Sequence, residues 1–207
     1  MMTVTKEIDK FFTRNMPGEN PHRMSYRYWK LAEMLQKVYG LKPIGQGSGR
    51  IVLALNNDRV LKLAKNRPGM YQNLFENSFY QDQKNPVLAP VLDCSRSGSW
   101  LIARRAKKLS EKAISKSTGL DPVIVEDGIY HMFQPDKSPG QERPMAYMLL
   151  KQTEFGQNLF RLLDTELDTE DIADFGNDQY GLIDEKPVVI DYGLSKEIGE
   201  KYYYPYN

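Results

Sequence analysis

The chain has 207 residues, enough for one substantial core or two small lobes. Its 28 basic residues against 27 acidic ones leave a formal charge of +1, so nothing in the overall balance points to nucleic acid or an acidic membrane surface as partner. A single cysteine, Cys94, and only two histidines, His22 and His131, exclude an internal disulfide framework and cysteine-built zinc sites and leave carboxylates, lysines and backbone groups to carry any chemistry.

In chain order, residues 1–23 read as a loosely organised lead-in with one helical turn around Ile8–Phe12. From Ser25, apolar Tyr28, Leu31, Leu35 and Val38 recur at helical spacing and Gly40 stands at the C-cap position, which predicts an amphipathic packing helix. Residues 44–64, IGQGSGRIVLALNNDRVLKLA, combine glycines at 45, 47 and 49 with the apolar run Ile51–Leu55, a polar turn at Asn56–Asp58 and a second run that contains Lys62. This pattern predicts a glycine-rich turn between antiparallel strands. A dinucleotide-binding glycine motif would open a helix instead, and a Walker A loop would continue into Gly-Lys-Ser/Thr; neither occurs. Without Cβ atoms such a turn lets backbone N–H groups approach an anion, and a lysine on the next strand can reach the same anion. A solvent-facing lysine on a plain hairpin is the alternative.

Asn66–Gly69 is expected to break the chain before a helix over 70–82 that carries Glu76. Val87–Cys94 and Ser99–Ala103 read as two more strands, completing a sheet of about five, with Cys94 buried in its strand. Beyond Ala106 the composition becomes helical: Ser110 caps a helix to about Lys116, Asp121-Pro122 opens another to about Phe133, and residues 145–164 form the longest helix. The buried stripe of that last helix is expected to hold Met148, Leu149, Phe155, Leu159, Phe160 and Leu163. Residues 171–198 then place Asp174 in a polar stretch, a short hairpin over Tyr180–Pro187, and the strand Val188-Val189-Ile190 ahead of Asp191-Tyr192-Gly193.

Glycine turn, strand lysine, helical glutamate, hinge-like strand and Asp-Tyr-Gly follow one another in the order of the protein kinase-like superfamily, which the chain resembles over residues 41–193. The resemblance implies an α+β fold with a small antiparallel β-sheet N-lobe and a reduced, mostly helical C-lobe. It divides the chain into an N-terminal extension with its amphipathic helix (1–40), an N-lobe (41–106) and a C-lobe with the catalytic-loop and metal-binding segment (107–207). It also implies a minimal phosphotransferase using ATP and Mg2+. In that reading Gly45, Gly47 and Gly49 cover the phosphates and Val52 borders the nucleotide. Lys62 pairs with Glu76, Ala103–Ala106 is the linker that receives adenine, and Asp191 binds magnesium. Asp174 addresses the acceptor hydroxyl.

Three departures qualify the resemblance. Arg50 stands where the third glycine of the family pattern belongs, which leaves open whether it contacts a phosphate or restricts the loop. Gln179 occupies the place of the asparagine metal ligand, and Ile172-Ala173 replace histidine and arginine before Asp174. Only 14 residues follow Gly193, which implies a truncated C-lobe of the kind familiar from compact kinase-like proteins of bacteriophage and bacterial genomes. The expected acceptor is a protein Ser/Thr hydroxyl. The rival reading is a pseudokinase, a nucleotide- or protein-binding module that retains the fold without transfer. The N-terminus lacks the apolar stretch of a signal peptide, and a cytoplasmic protein with a protein substrate or partner, and no membrane association, is expected.

Overall fold

The computed structural model describes residues 2–15, 26–135, 142–163, 165–167 and 179–203. They form two compact units: unit one is Met1–Gln83, Pro90–Arg105 and Gly193–Asn207, and unit two is Lys84–Ala89 and Ala106–Tyr192. The α+β class and the five-stranded antiparallel sheet are as the sequence led one to expect. Among the described residues no helix is long and apolar enough to cross a membrane.

Unit one is built on strands β1 (Lys42–Gln46), β2 (Arg50–Ala54), β3 (Arg59–Ala64), β4 (Val91–Cys94) and β5 (Trp100–Arg104), in spatial order β1-β2-β3-β5-β4. The central strand β3 has buried residues on both faces from Val60 to Ala64, so one face covers the apolar core and the other lies under a helix. The β2–β3 connection is closed by an Asx turn in which the Asp58 N–H donates to Asn56 Oδ1 at 2.8 Å.

Helix α1 (Met2–Arg14) is far longer than the single turn expected around Ile8–Phe12. Thr3, Val4 and Thr5 are β-branched and disfavour a helix locally, but burial outweighs propensity: Val4, Ile8 and Phe12, four residues apart, are all buried in the same core as Trp100 and Ile102. Asp9 fastens the helix to β5, its Oδ1 accepting from Trp100 Nε1 at 2.8 Å and from Ser99 Oγ at 3.0 Å. Helix α2 (Tyr26–Tyr39) adds Tyr28, Leu31 and Leu35 to that core and stops, as expected, at Gly40 in the left-handed conformation (φ 67°).

Helix α3 (Arg67–Gln83) begins three residues earlier than the sequence suggested. Arg67, Pro68 and Gly69 fill its first turn, where proline's missing N–H costs nothing, and the Asn66 side chain caps it by accepting from the Gly69 N–H at 2.9 Å.

In unit two the expected caps are found. Ser110 starts α4 (Glu111–Thr118) and Asp121 starts α5 (Pro122–Phe133), each accepting from a first-turn N–H. The single long helix expected over 145–164 is instead two, α6 (Glu142–Leu150) and α7 (Glu154–Phe160). The division falls where the Thr153 side chain turns back to accept from the Gly156 N–H at 2.9 Å. Because the helical phase is reset there, Leu150, Phe155 and Leu159 are buried as a stripe while Met148 and Phe160 are 57% and 38% exposed. A three-stranded sheet, β6 (Lys107–Lys108), β7 (Tyr180–Ile183) and β8 (Lys186–Val189), completes the unit. The strand expected over 87–94 is also divided, at Pro90. Val87–Ala89 runs alongside β8, with the Val189 N–H donating to Val87 O at 2.7 Å and the Ala89 N–H to Val189 O at 2.9 Å, and only Val91–Cys94 joins the larger sheet. Cys94, expected to be buried in its strand, ends β4 half-buried.

Truncating a fully buried isoleucine leaves a cavity costing about 2–5 kcal/mol. Ile8→Ala is therefore expected to lower the unfolding free energy by that amount in urea titration, whereas an α1 that was a detachable lead-in would show almost no change.

Candidate functional site

Lys62 sits in the middle of β3, with Val52 of β2 and Leu101 of β5 as its register partners. Alternation along the strands puts Lys62 and Arg50 on one face of the sheet, because Lys62 lies opposite Val52 and Arg50 is two residues from Val52. That face is covered by α3. Four α3 residues at helical spacing, Gly69, Gln72, Asn73 and Glu76, are all buried, forming a polar stripe where an apolar one would ordinarily lie.

The stripe and the two cations make one cluster. Lys62 Nζ donates to Glu76 Oε1 at 2.7 Å and to Oε2 at 2.9 Å. Arg50 Nη1 donates to Glu76 Oε2 at 2.6 Å and to Asn73 Oδ1 at 3.3 Å. Asn73 is itself fixed, its Nδ2 donating to the Lys62 carbonyl at 3.2 Å and to the Gly98 carbonyl at 2.8 Å. Glu76 is fully buried and the side chains of Arg50 and Lys62 are 5% and 6% exposed. A carboxylate this deep is costly to bury unless cations pair with it.

The glycine turn joining β1 to β2 is held from beneath. The Lys65 N–H donates to Gly49 O at 2.8 Å, Asn66 Nδ2 to Ser48 O at 3.1 Å and Lys65 Nζ to Gly47 O at 2.5 Å. Burial holds the Lys65 ammonium below its ordinary pKa. The three glycines are not equivalent. A Cβ on Gly47 would meet nothing and one on Gly45 would only touch Val52, so packing does not demand glycine at either; the Gly47 N–H donates to Arg50 O at 3.0 Å. Gly49 is buried: a Cβ there would lie 2.5 Å from Gln72 Oε1, and one on Gly69 would lie 2.0 Å from Gly49 O. Gly49 and Gly69 thus let the turn and the start of α3 meet backbone to backbone.

The last segment of unit one returns to the same helix. Gly193 is buried against Arg50, and a Cβ on it would fall 2.7 Å from Nη1 and 2.9 Å from the Gln72 carbonyl. Helix α8 (Lys196–Tyr202), capped by Ser195, follows and lies on α3, with Tyr202 stacked on Tyr71 at 5.8 Å and Gln72 Nε2 donating to the Tyr203 hydroxyl at 3.2 Å. Cys94 borders this region. Burial, with the charges of Glu76 and Asp93 adding to it, pushes its thiol up to about 12.

In unit two, β7 and β8 form the expected hairpin, turning at Asp184 and Glu185, both at positive φ. Gln179 and Asp191 flank its open end: the Ile190 N–H donates to Gln179 O at 2.8 Å, and Asp191 follows as an exposed residue. Gln179 Oε1 is buried with no hydrogen-bond partner among the described residues. Tyr192 is buried and its hydroxyl donates to Ala89 O at 2.6 Å, fixing the chain just beyond Asp191. Among the described residues no three His, Cys, Asp or Glu side chains gather as a metal cluster. The oxygens of Asp191 and Gln179 suit a hard cation that keeps water and phosphate ligands, as Mg2+ does.

Of the other sequence candidates, Val52 is half-buried on β2, Ala103 is buried on β5 opposite Val60 and Val91, and Ala106 is half-buried against Gly181. Asp174 lies outside the described residues. The sequence reading missed Asn73, Lys65 and the pairing of Arg50 with Glu76. The two-residue step from Arg50 to Val52, opposite Lys62, and the 69/72/73/76 stripe are the signals that reveal them.

No protein-family model and no curated protein sequence matches the chain. Among solved structures, similarity is found to the ternary complex of APH(2")-IIa with streptomycin and ATP (14% identity, TM-score 0.36, covering 79% of this chain and 70% of that one). It is also found to SAICAR-synthase from Saccharomyces cerevisiae complexed with SAICAR (9% identity, TM-score 0.38, covering 76% and 74%). A third is the GDP and kanamycin complex of APH(2")-IIia (14% identity, TM-score 0.35, covering 80% and 73%). All three resemble the chain only loosely.

Replacing Glu76 by alanine strands two buried cations, so Glu76→Ala is expected to cost about 3–5 kcal/mol in urea unfolding. A second expectation concerns Cys94. With its thiolate disfavoured, alkylation at pH 8 should run at least about 100-fold slower in the native protein than in the unfolded chain, and mass spectrometry of a timed iodoacetamide reaction checks it.

Proposed function

We propose that the chain is a kinase-like phosphotransferase that moves the γ-phosphate of ATP to an acceptor hydroxyl, with a protein Ser/Thr as the acceptor. The observation that carries this reading is the buried Lys62–Glu76 pair, with Nζ 2.7 Å from Oε1, at the centre of a five-stranded sheet and next to an open glycine turn. A lysine on a surface hairpin has no reason to be buried against a helix carboxylate; a lysine that must present one ammonium at one place does.

The roles follow from the chemistry of each group. Glu76 orients Lys62, whose ammonium is a point charge suited to phosphate oxygens. Gly45 and Gly47 have no Cβ to keep phosphates at a distance. The Ala103–Ala106 stretch would receive the adenine, with the small side chains of Ala103 and Ala106 at its two ends. Asp191 and Gln179 would hold Mg2+, which supplies charge neutralisation on the phosphates when bound. Asp174 would accept the proton of the acceptor hydroxyl as its oxygen bonds to phosphorus and the bond to ADP breaks.

A second reading, a nucleotide- or protein-binding module without transfer, is favoured by Arg50. Its guanidinium shares Glu76 with Lys62, a burden that a glycine at that position would not place on the pair.

The two readings separate in one experiment. The purified chain is incubated with γ-labelled ATP and Mg2+, alone and with a protein mixture, beside Lys62→Met, Asp174→Asn and Asp191→Asn. Transfer by the wild type that falls at least about 100-fold in each variant is expected, since general-base and phosphate-positioning groups each contribute on that scale. Transfer that survives both aspartate substitutions would sink the site. Thermal stabilisation by Mg·ATP with no transfer would establish the binding module.

A further inference from the structure

We propose that Lys65 and Asn66 are positioning residues for the glycine turn: their side chains draw the Gly47 and Ser48 carbonyls to one side and so aim the Ser48 and Gly49 N–H groups at the other, where they can meet an anionic group. The inference rests on the phosphate contact proposed above for the turn. In a trans peptide the C=O and the N–H point in opposite directions. The unit that carries the Ser48 N–H carries Gly47 O, which accepts from Lys65 Nζ, and the unit that carries the Gly49 N–H carries Ser48 O, which accepts from Asn66 Nδ2. Fixing each carbonyl fixes the N–H behind it.

Neither N–H has an acceptor among the described residues, whereas the groups beside them are taken. The Gly47 N–H donates to Arg50 O at 3.0 Å, and Gly49 O accepts from the Lys65 N–H at 2.8 Å. Two successive N–H groups left without acceptors and aimed alike form a concavity suited to an anion.

The turn needs such holds. Gly47 is exposed and nothing packs where its Cβ would lie, so rotation of its peptide costs little. Lys65 Nζ makes no other bond among the described residues, which leaves its ammonium committed to the turn. Asn66 is buried and its amide works at both ends, Oδ1 capping α3 at the Gly69 N–H while Nδ2 holds Ser48 O. The start of α3 thereby sets the aim of the turn.

The first test needs no ligand. In the full chain, 15N relaxation is expected to give order parameters of about 0.85 for the Ser48 and Gly49 amides, falling below about 0.6 at Ser48 in Lys65→Met and at Gly49 in Asn66→Ser. Serine keeps an oxygen to cap α3 but is too short to hold Ser48 O. Unchanged order parameters in both variants would overturn the proposal, and should Asn66→Ser not fold, the value at Ser48 in Lys65→Met decides. With Mg·ATP as the probe, each variant is expected to raise Kd about tenfold and Lys65→Arg to restore most of the loss. Asn66→Ser leaves the net charge unchanged, so weaker binding there comes from aim. Affinity that falls in Lys65→Met alone would give Lys65 a charge role and overturn the positioning. If the variants lose order as expected but the wild type responds to neither Mg·ATP nor inorganic tripolyphosphate, the phosphotransferase reading fails while the hold of Lys65 and Asn66 on the turn stands.

Discussion

A single buried carboxylate sets the terms for unit one. Glu76 has no exposure to solvent and two cations within 2.7 Å of its oxygens, and α3 must come down onto β2 and β3 to bring them together. Several otherwise odd residues follow from that approach. Gly49 and Gly69 meet with no side chain between them, which a helix lying this close to a turn requires. Asn66 caps α3 and also holds the glycine turn through Ser48 O. Asn73 satisfies the Lys62 and Gly98 carbonyls under the helix while steadying Arg50. Every buried polar group in this layer is matched to another, the condition under which a buried network rigidifies a fold instead of weakening it.

The helix is held on its other side by elements distant in sequence. Helix α8 lies along α3 through the Tyr71–Tyr202 stack and the Gln72–Tyr203 bond, and Gly193 wedges the chain between Arg50 and the Gln72 backbone just before it. Helix α1 does comparable work under the sheet, where Asp9 ties it to the strand end at Ser99 and Trp100. The first and last stretches of unit one are thus structural parts of the lobe that carries Lys62.

How much of this was legible depended on the range of the interaction. Strand runs, the Ser110 and Asp121 caps and the Gly40 stop are local, and the residues announce them directly. The pairing of Lys62 with Glu76 was legible through family resemblance, as order along the chain. Arg50 was noticed as an anomaly but its partner was not, because that required the β2–β3 register and the 69/72/73/76 face of α3 to be read together. A polar stripe on a helix is ordinarily the solvated one. Helix α1 was underestimated because its propensity is poor and its stability comes from burial. The α6–α7 break was missed because the helical phase is reset by a threonine side chain, which accepts from the Gly156 N–H.

Lys62 and Asp191 are each carried by paired strands or strand ends of their own unit. In unit one the ammonium of Lys62 is set by a strand flanked on both sides and by a carboxylate that Arg50 also bonds. In unit two Asp191 leaves a strand that is paired on one side with β7 and on the other with Val87–Ala89, and the buried Tyr192, bonded to Ala89 O, stops the chain from turning freely beyond it. Gln179 and Arg50, which stand where the family pattern has asparagine and glycine, both occur at positions whose backbone is fixed by pairing, Gln179 to Ile190 and Arg50 to Ala64, so they change the side chain offered and leave the frame that offers it intact.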